Sequence, residues 1–260
     1  MSAHIRCEVH QGVAVVIISY PERFNAMSRA MWRELKSVFE TIHNSPDLRC
    51  VRVAGEGAHF CAGGDISEYP DFRFQEASLR AFHEQDVWGG LSAMLACDLP
   101  MVAQIAGNCM GAGVEIASCC DIRIAAASAK FGAPIARLGF PMAPREAALV
   151  GRELGLMTAR QMLLEAAVLD AAEMAGRGFL TRVVADADLD ASVQATVQRM
   201  QVLAPQAARL NKQTLRALAG AKDVSSHAMA DGPAGVYAYA NGPEQREGIS
   251  AFLDKRTPVF

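Results

Sequence analysis

The chain has 260 residues, 51% of them apolar and 20% charged, which excludes a disordered chain and allows one large domain with a substantial core. A formal net charge of -3, with no long basic block, excludes general nucleic-acid binding through phosphate neutralisation. Seven cysteines with no C-x-x-C pair and six scattered histidines give neither a disulfide framework nor a metal site, and the thiols read as buried small hydrophobes.

In chain order, residues 1–11 contain no apolar h-region, so no signal peptide is expected and the cytoplasm is the expected compartment. The apolar run 13–18 is too short to span a bilayer and reads as a buried strand, closed by Pro21. After Ser28, an N-cap, Met31, Leu35, Val38, Phe39 and Ile42 keep helical spacing. A second short strand follows over 49–53, before the turn at Gly55 and Gly57. Strand, helix, strand begins an α/β pattern.

Residues 60–66 (FCAGGDI) form a small-residue turn, 67–75 a polar and aromatic loop, and 77–96 a helix. Pro100 introduces a strand over 101–105. Gly107 and Gly111 then break the chain before a short apolar helix over 112–119, and 121–125 is again strand-like. Thr158 and Asp170 are expected to cap helices, and 180–184 is the last strand. Three helical stretches follow residue 188, broken at Pro205, around 220–223 and at 241–243. The expected organisation is an α/β core over 1–195 and a helical C-terminal region over 196–260.

The most informative segment is GNCMGAGVEI at 107–116. A strand enters small residues, and a helix with an apolar face starts at once. The first N–H groups of such a helix lack intrahelical partners and lie at its positive end. Glycine and alanine allow close approach of a ligand oxygen, so the turn can hold an oxyanion. Glu115, among Val114, Ile116 and Ala117, is a carboxyl group in apolar surroundings, expected to bind its proton tightly and to shuttle it. The same features also fit a plain glycine turn and a first-turn acid that favours the helix dipole. A dinucleotide fold needs G-x-G-x-x-G, and no third glycine follows Gly111 and Gly113. No G-x-S-x-G elbow or P-loop occurs either.

Taken together, several segments resemble the crotonase (enoyl-CoA hydratase/isomerase) superfamily over nearly the whole chain. YPERFNAM at 20–27 is similar to its "N-R-P…N-A-L" segment along the CoA, and residues 60–66 to its "F-x-A-G-x-D" loop. Residues 100–116 resemble "K-P-x-I-A-x-V-N-G-x-x-x-G-G-G-x-E", followed by the "C-D-I" at 120–122; EGISAFLDKR at 247–256 is like the closing motif. The resemblance implies an α/β spiral of ββα units with a helical C-terminal region that builds trimers, often paired into hexamers. It implies an acyl-CoA substrate whose thioester oxygen is held by the backbone N–H groups of Gly64 and Ala112, with Glu115 as acid/base. It places Ala26, Ala62, Gly63, Asp65, Ile66, Ser67 and Gly111 along the ligand, and makes Arg23, with Lys255 from a neighbouring subunit, candidate phosphate contacts. No metal, redox cofactor, nucleic acid or membrane partner is implied; coenzyme A enters as part of the substrate.

The sequence departs from the family pattern at one catalytic position. Hydratases of this type carry a second glutamate after "F-G-x-P", and here FGAPI at 131–135 puts Ile135 there. Beyond it, Pro144, Arg145 and Glu146 read as an exposed first helical turn, with a place facing the pocket as the alternative. One carboxylate suits enolate chemistry with a single proton carrier: isomerisation, malonyl-type decarboxylation or slow hydration. A catalytically silent acyl-CoA-binding or partner-binding homologue is the reading from a different class.

Overall fold

The computed structural model describes residues 3–220 and 242–260. Its strands are β1 (His4–His10), β2 (Val13–Ser19), β3 (Cys50–Gly55), β4 (Met101–Ile105), β5 (Asn108–Met110), β6 (Ile122–Ala126), β7 (Lys130–Gly132), β8 (Val168–Asp170) and β9 (Arg182–Val184). The helices of the first half are α1 (Arg29–His43), α2 (Glu76–Ala81), α3 (Trp88–Ala96) and α4 (Ala112–Ser118). After them come α5 (Pro144–Leu154), α6 (Leu156–Leu164), α7 (Ala171–Gly176), α8 (Leu189–Gln201), α9 (Pro205–Gly220) and α10 (Pro243–Leu253).

Six strands form one sheet in the order β1-β2-β3-β4-β6-β9, and β5-β7-β8 form a second. Only β1 runs antiparallel in the large sheet. A parallel strand covered on both faces needs a nearly continuous apolar run, and β2 has one in VAVVIIS. The edge strand β1, which the periodicity reading passed over, carries Arg6, Glu8 and His10 on exposed positions, as an edge that avoids pairing with other chains should. The main core packs α1 through Met31, Trp32, Leu35 and Phe39 against Val16, Ile18 and Val53. On the opposite face, α8 covers Val13, Cys50, Val102 and Ile124 with Leu189, Val193 and Val197.

The expected boundary at 195 therefore falls inside a helix that belongs to the core it covers. Ser28 does cap α1, its hydroxyl accepting from Met31 N–H at 3.2 Å. Asp170 caps α7 in the same way, accepting from Glu173 N–H at 2.8 Å. Thr158 does not cap; it lies buried within α6, which starts two residues earlier at Leu156. The helical stretch expected between about 223 and 241 lies outside the described residues. Among the described residues, no helix is long and apolar enough to cross a membrane, and no cluster of three or more His, Cys, Asp or Glu could hold a metal ion.

Candidate active site

Two small-residue turns abut. Cys61 and Cys109 form a parallel bridge, with Cys61 N–H donating to Asn108 O at 2.9 Å and Met110 N–H to Cys61 O at 2.8 Å. Gly63 and Gly111 take φ of 115° and 46°, left-handed backbone that side chains disfavour. A Cβ on Gly111 would stand 3.7 Å from Gly63 Cα, so the turns touch main chain to main chain. Gly113 tightens the same contact, since a Cβ there would come within 2.6 Å of Cys61 O.

Beside this seam lie the two proposed donors. Ala112 is the first residue of α4, where an N–H has no partner inside the helix. Among the described residues, neither its N–H nor that of Gly64 donates to a backbone carbonyl. Both residues line one cavity of about 250 Å³, and Glu115, one turn along α4, lines it too. Glu115 is 8% exposed. Burial, and then the charge of Glu146, push its carboxyl well above the usual carboxylate range, which favours its protonated form. The Tyr69 hydroxyl stands over Gly64, where it would collide with a Cβ; burial pushes its pKa up to about 12. Burial likewise holds the Cys61 thiol at about 12 and Cys109 well above its usual range, which makes these thiols inert packing groups.

The cavity also gathers Ala62, Gly63, Ile66, Gly111 and Ile135. It does not gather Asp65 or Ser67, which bond to each other: Asp65 Oδ1 accepts from Ser67 N–H at 3.0 Å and from its hydroxyl at 2.6 Å, capping a 3₁₀ turn over Ile66–Asp71. Ala26 is buried and does not line the cavity. Arg23 is exposed on the preceding turn, and Asn25 braces that turn by donating to Glu56 O at 2.8 Å and His59 O at 2.7 Å. Lys255 is exposed near the C-terminus and is not part of the cavity within this chain.

The start of α5 corrects the expectation for the 144–146 turn. Pro144 and Arg145 are exposed, but Glu146 is only 2% exposed and lines the cavity. The pocket thus holds two carboxyl groups, the second supplied by α5 instead of by position 135. Arg145 turns outward and pairs with Glu84 at 3.3 Å. Glu146 Oε2 accepts from Ala143 N–H at 3.2 Å, and both its oxygens lie 3.1 Å from His83 Nδ1. His83 sits on a π-helical turn over Phe82–Val87, between α2 and α3, a helix irregularity frequent at functional sites. Asp86 fastens that turn to α1 through Arg29 at 2.8 Å and Arg33 at 2.7 Å. Arg73, stacked 3.8 Å over Phe140 and 4.3 Å over Tyr69, completes this wall. The stretch over 67–83 is expected from the sequence, as a whole, to shape the acyl pocket, with no motif to single out Tyr69, Arg73 or His83, the three of its residues that build this wall.

Comparison with known proteins identifies the family. Residues 8–260 match the enoyl-CoA hydratase/isomerase family model. A probable enoyl-CoA hydratase of Mycobacterium bovis is 31% identical over 98% of this chain and 97% of its own length. The crotonyl-CoA hydratase of Syntrophomonas wolfei is 30% identical over 99% and 97%. Among solved structures, an enoyl-CoA hydratase/carnithine racemase from Magnetospirillum magneticum superimposes with a TM-score of 0.92 at 35% identity, covering 100% of this chain and 96% of that one. With matching motifs, matching fold and a family match across almost its whole length, the chain belongs to the enoyl-CoA hydratase/isomerase family.

Proposed function

We propose that the protein binds an acyl-CoA thioester and stabilises its enolate between the Gly64 and Ala112 N–H groups, while Glu115 carries the proton to and from the α carbon. The observation behind this reading is the seam between the two turns, which sets two main-chain donors, neither bonded to a backbone carbonyl among the described residues, beside one cavity that Glu115 also lines. Donors fixed in advance around a developing oxyanion lower its energy without reorganising, and each contributes about 10²–10³ in rate. A protonated Glu115 is a proton donor for the enolate α carbon and, once ionised, a base for the reverse step.

Hydration and isomerisation of an enoyl thioester share this half-reaction. The 30% identity to a crotonyl-CoA hydratase supports a short 2-enoyl substrate. Arg23, and Lys255 from a neighbouring subunit, are the proposed CoA phosphate contacts. Assembly into trimers or hexamers is proposed to run through the C-terminal region, where Ile249, Leu253 and Val259 are exposed. A protein that sediments as a monomer would overturn that assembly.

The direct test is α-proton exchange. Butyryl-CoA incubated with the protein in D₂O should gain deuterium at the α carbon, followed by mass spectrometry. Glu115→Gln should slow this by at least about 10². A folded wild-type protein that exchanges nothing would overturn the reading.

A further inference from the structure

Two carboxyl groups face this pocket, and the proposal above uses one. We propose that Glu146, oriented by His83, is a second acid/base group here, one that deprotonates the water added to the β carbon of a 2-enoyl thioester. The inference rests on the acyl-CoA reading of the pocket and deepens it from enolate chemistry in general to hydration.

Burial is the first observation. Carboxylates are almost never fully buried without a partner, and Glu146 is 2% exposed. Among the described residues, the group it pairs with is His83, and no lysine or arginine bridges it. A carboxylate neutralised by an arginine would be a poor base; one steadied by an imidazole N–H keeps a free lone pair for water.

The hydrogen bonds also fix the histidine tautomer. Arg73 Nη2 lies 3.2 Å from His83 Nε2. A guanidinium only donates, so Nε2 accepts and the ring proton sits on Nδ1. That N–H donates to both Glu146 oxygens, each at 3.1 Å. His83 is held in turn by its place on the π turn that Asp86 ties to α1. Glu146 is therefore an oriented group lining the same cavity as the oxyanion turns, and its charge is felt by Glu115.

The chemistry balances with these groups alone. The water oxygen bonds to the β carbon while one water proton passes to the Glu146 carboxylate. The double-bond pair moves toward the thioester, whose oxygen the two N–H groups hold, and Glu115 gives its proton to the α carbon. One proton has arrived on Glu146 and one has left Glu115; the substrate has gained H and OH. Transfer of a proton between the two carboxyl groups through solvent resets the site.

A purely structural role for Glu146 is the competing account, since it also accepts from Ala143 N–H at the start of α5. Gln at this position keeps an acceptor for that cap but cannot take the water proton. The test compares wild type, Glu146→Gln and His83→Asn in two assays: crotonyl-CoA hydration and butyryl-CoA α-proton exchange. Glu146→Gln should cut hydration by at least about 10² while exchange changes only about threefold. His83→Asn, which leaves the carboxylate and the cap, should cut hydration by about tenfold with exchange again retained.

Hydration that survives Glu146→Gln, or hydration and exchange that fall together, would overturn the proposal. Wild type that exchanges but hydrates nothing would overturn it as well. Wild type that does neither would instead remove the acyl-CoA reading beneath it. Should Glu146→Gln fail to fold, His83→Asn decides: unchanged hydration overturns the role, selective loss supports it.

Discussion

The two walls of the cavity are built in different ways. One is main chain: Gly63–Gly64 and Gly111–Ala112, joined through the Cys61–Cys109 bridge and set by left-handed glycines. The other is side chain: Tyr69, Arg73 and His83 from a turn-and-helix segment, with Glu146 reaching in from α5. A main-chain wall depends on which residues can adopt a conformation, so it leaves a local signature of small residues. A side-chain wall depends on what distant segments place opposite each other, and it leaves none. On the proposed roles, enolate stabilisation rests on the main-chain wall and water activation on the side-chain wall, two separately built parts of one pocket.

Glu115→Gln is the sharpest way to break the first wall. It should lower both exchange and hydration by about 10²–10⁴, as measured by deuterium uptake and by loss of the enoyl absorbance. The same variant should be more stable than wild type at neutral pH. The Glu115 carboxyl binds its proton more tightly in the folded protein than at its ordinary value of 4.5. Its stabilising contribution is thus complete below that value and is lost as pH rises through the higher folded value. Glutamine has no such loss, so a melting-temperature gap should open as pH climbs from about 4.5 toward neutrality; a gap independent of pH would show that Glu115 is not held protonated.

Gly64→Pro, made in a Tyr69→Phe background to relieve the clash with the hydroxyl, should cost about 10²–10³ in exchange relative to Tyr69→Phe alone. Equal rates would take the donor role away from Gly64. On the second wall, Ile135→Glu in the Glu146→Gln background should restore hydration by about tenfold, if a carboxylate placed at either position can reach water. The accompanying stability loss, expected for an unpaired buried acid, is read separately from the melt. The smallest effect belongs to Ala112→Gly. Because the donor is main chain, turnover should stay within about threefold, and a large loss would show that the Ala112 methyl group shapes the site.

How far the sequence was legible follows this division. The strand over 13–18, the Ser28 cap and the α4 turn could be read because each obeys a local rule: continuous apolar residues, a hydroxyl before a helical stripe, glycines before an apolar helix. Glu115 could be singled out because its three neighbours are apolar. Glu146 could not. Pro144 before it, and an acid in a first turn, are what an exposed helix start looks like, and its partner His83 lies 63 positions earlier in the chain. Burial of that carboxylate is a tertiary fact, produced by docking of the 66–88 segment over α5. Asp65 and Ser67 illustrate the converse. Their motif is plain, but the two side chains satisfy each other and leave the pocket to Ile66 between them.

The π turn over Phe82–Val87 has a consequence for how such a protein can change. A π turn is an α-helix carrying one surplus residue, and each residue of an α-helix turns the chain by about 100°. Removing a single residue such as Glu84 would let α2 and α3 merge into one regular helix and swing His83 away from Glu146. The oxyanion turns lie outside that helix and would be untouched. On the proposed roles, one codon deletion would separate water activation from enolate stabilisation in a single genetic step.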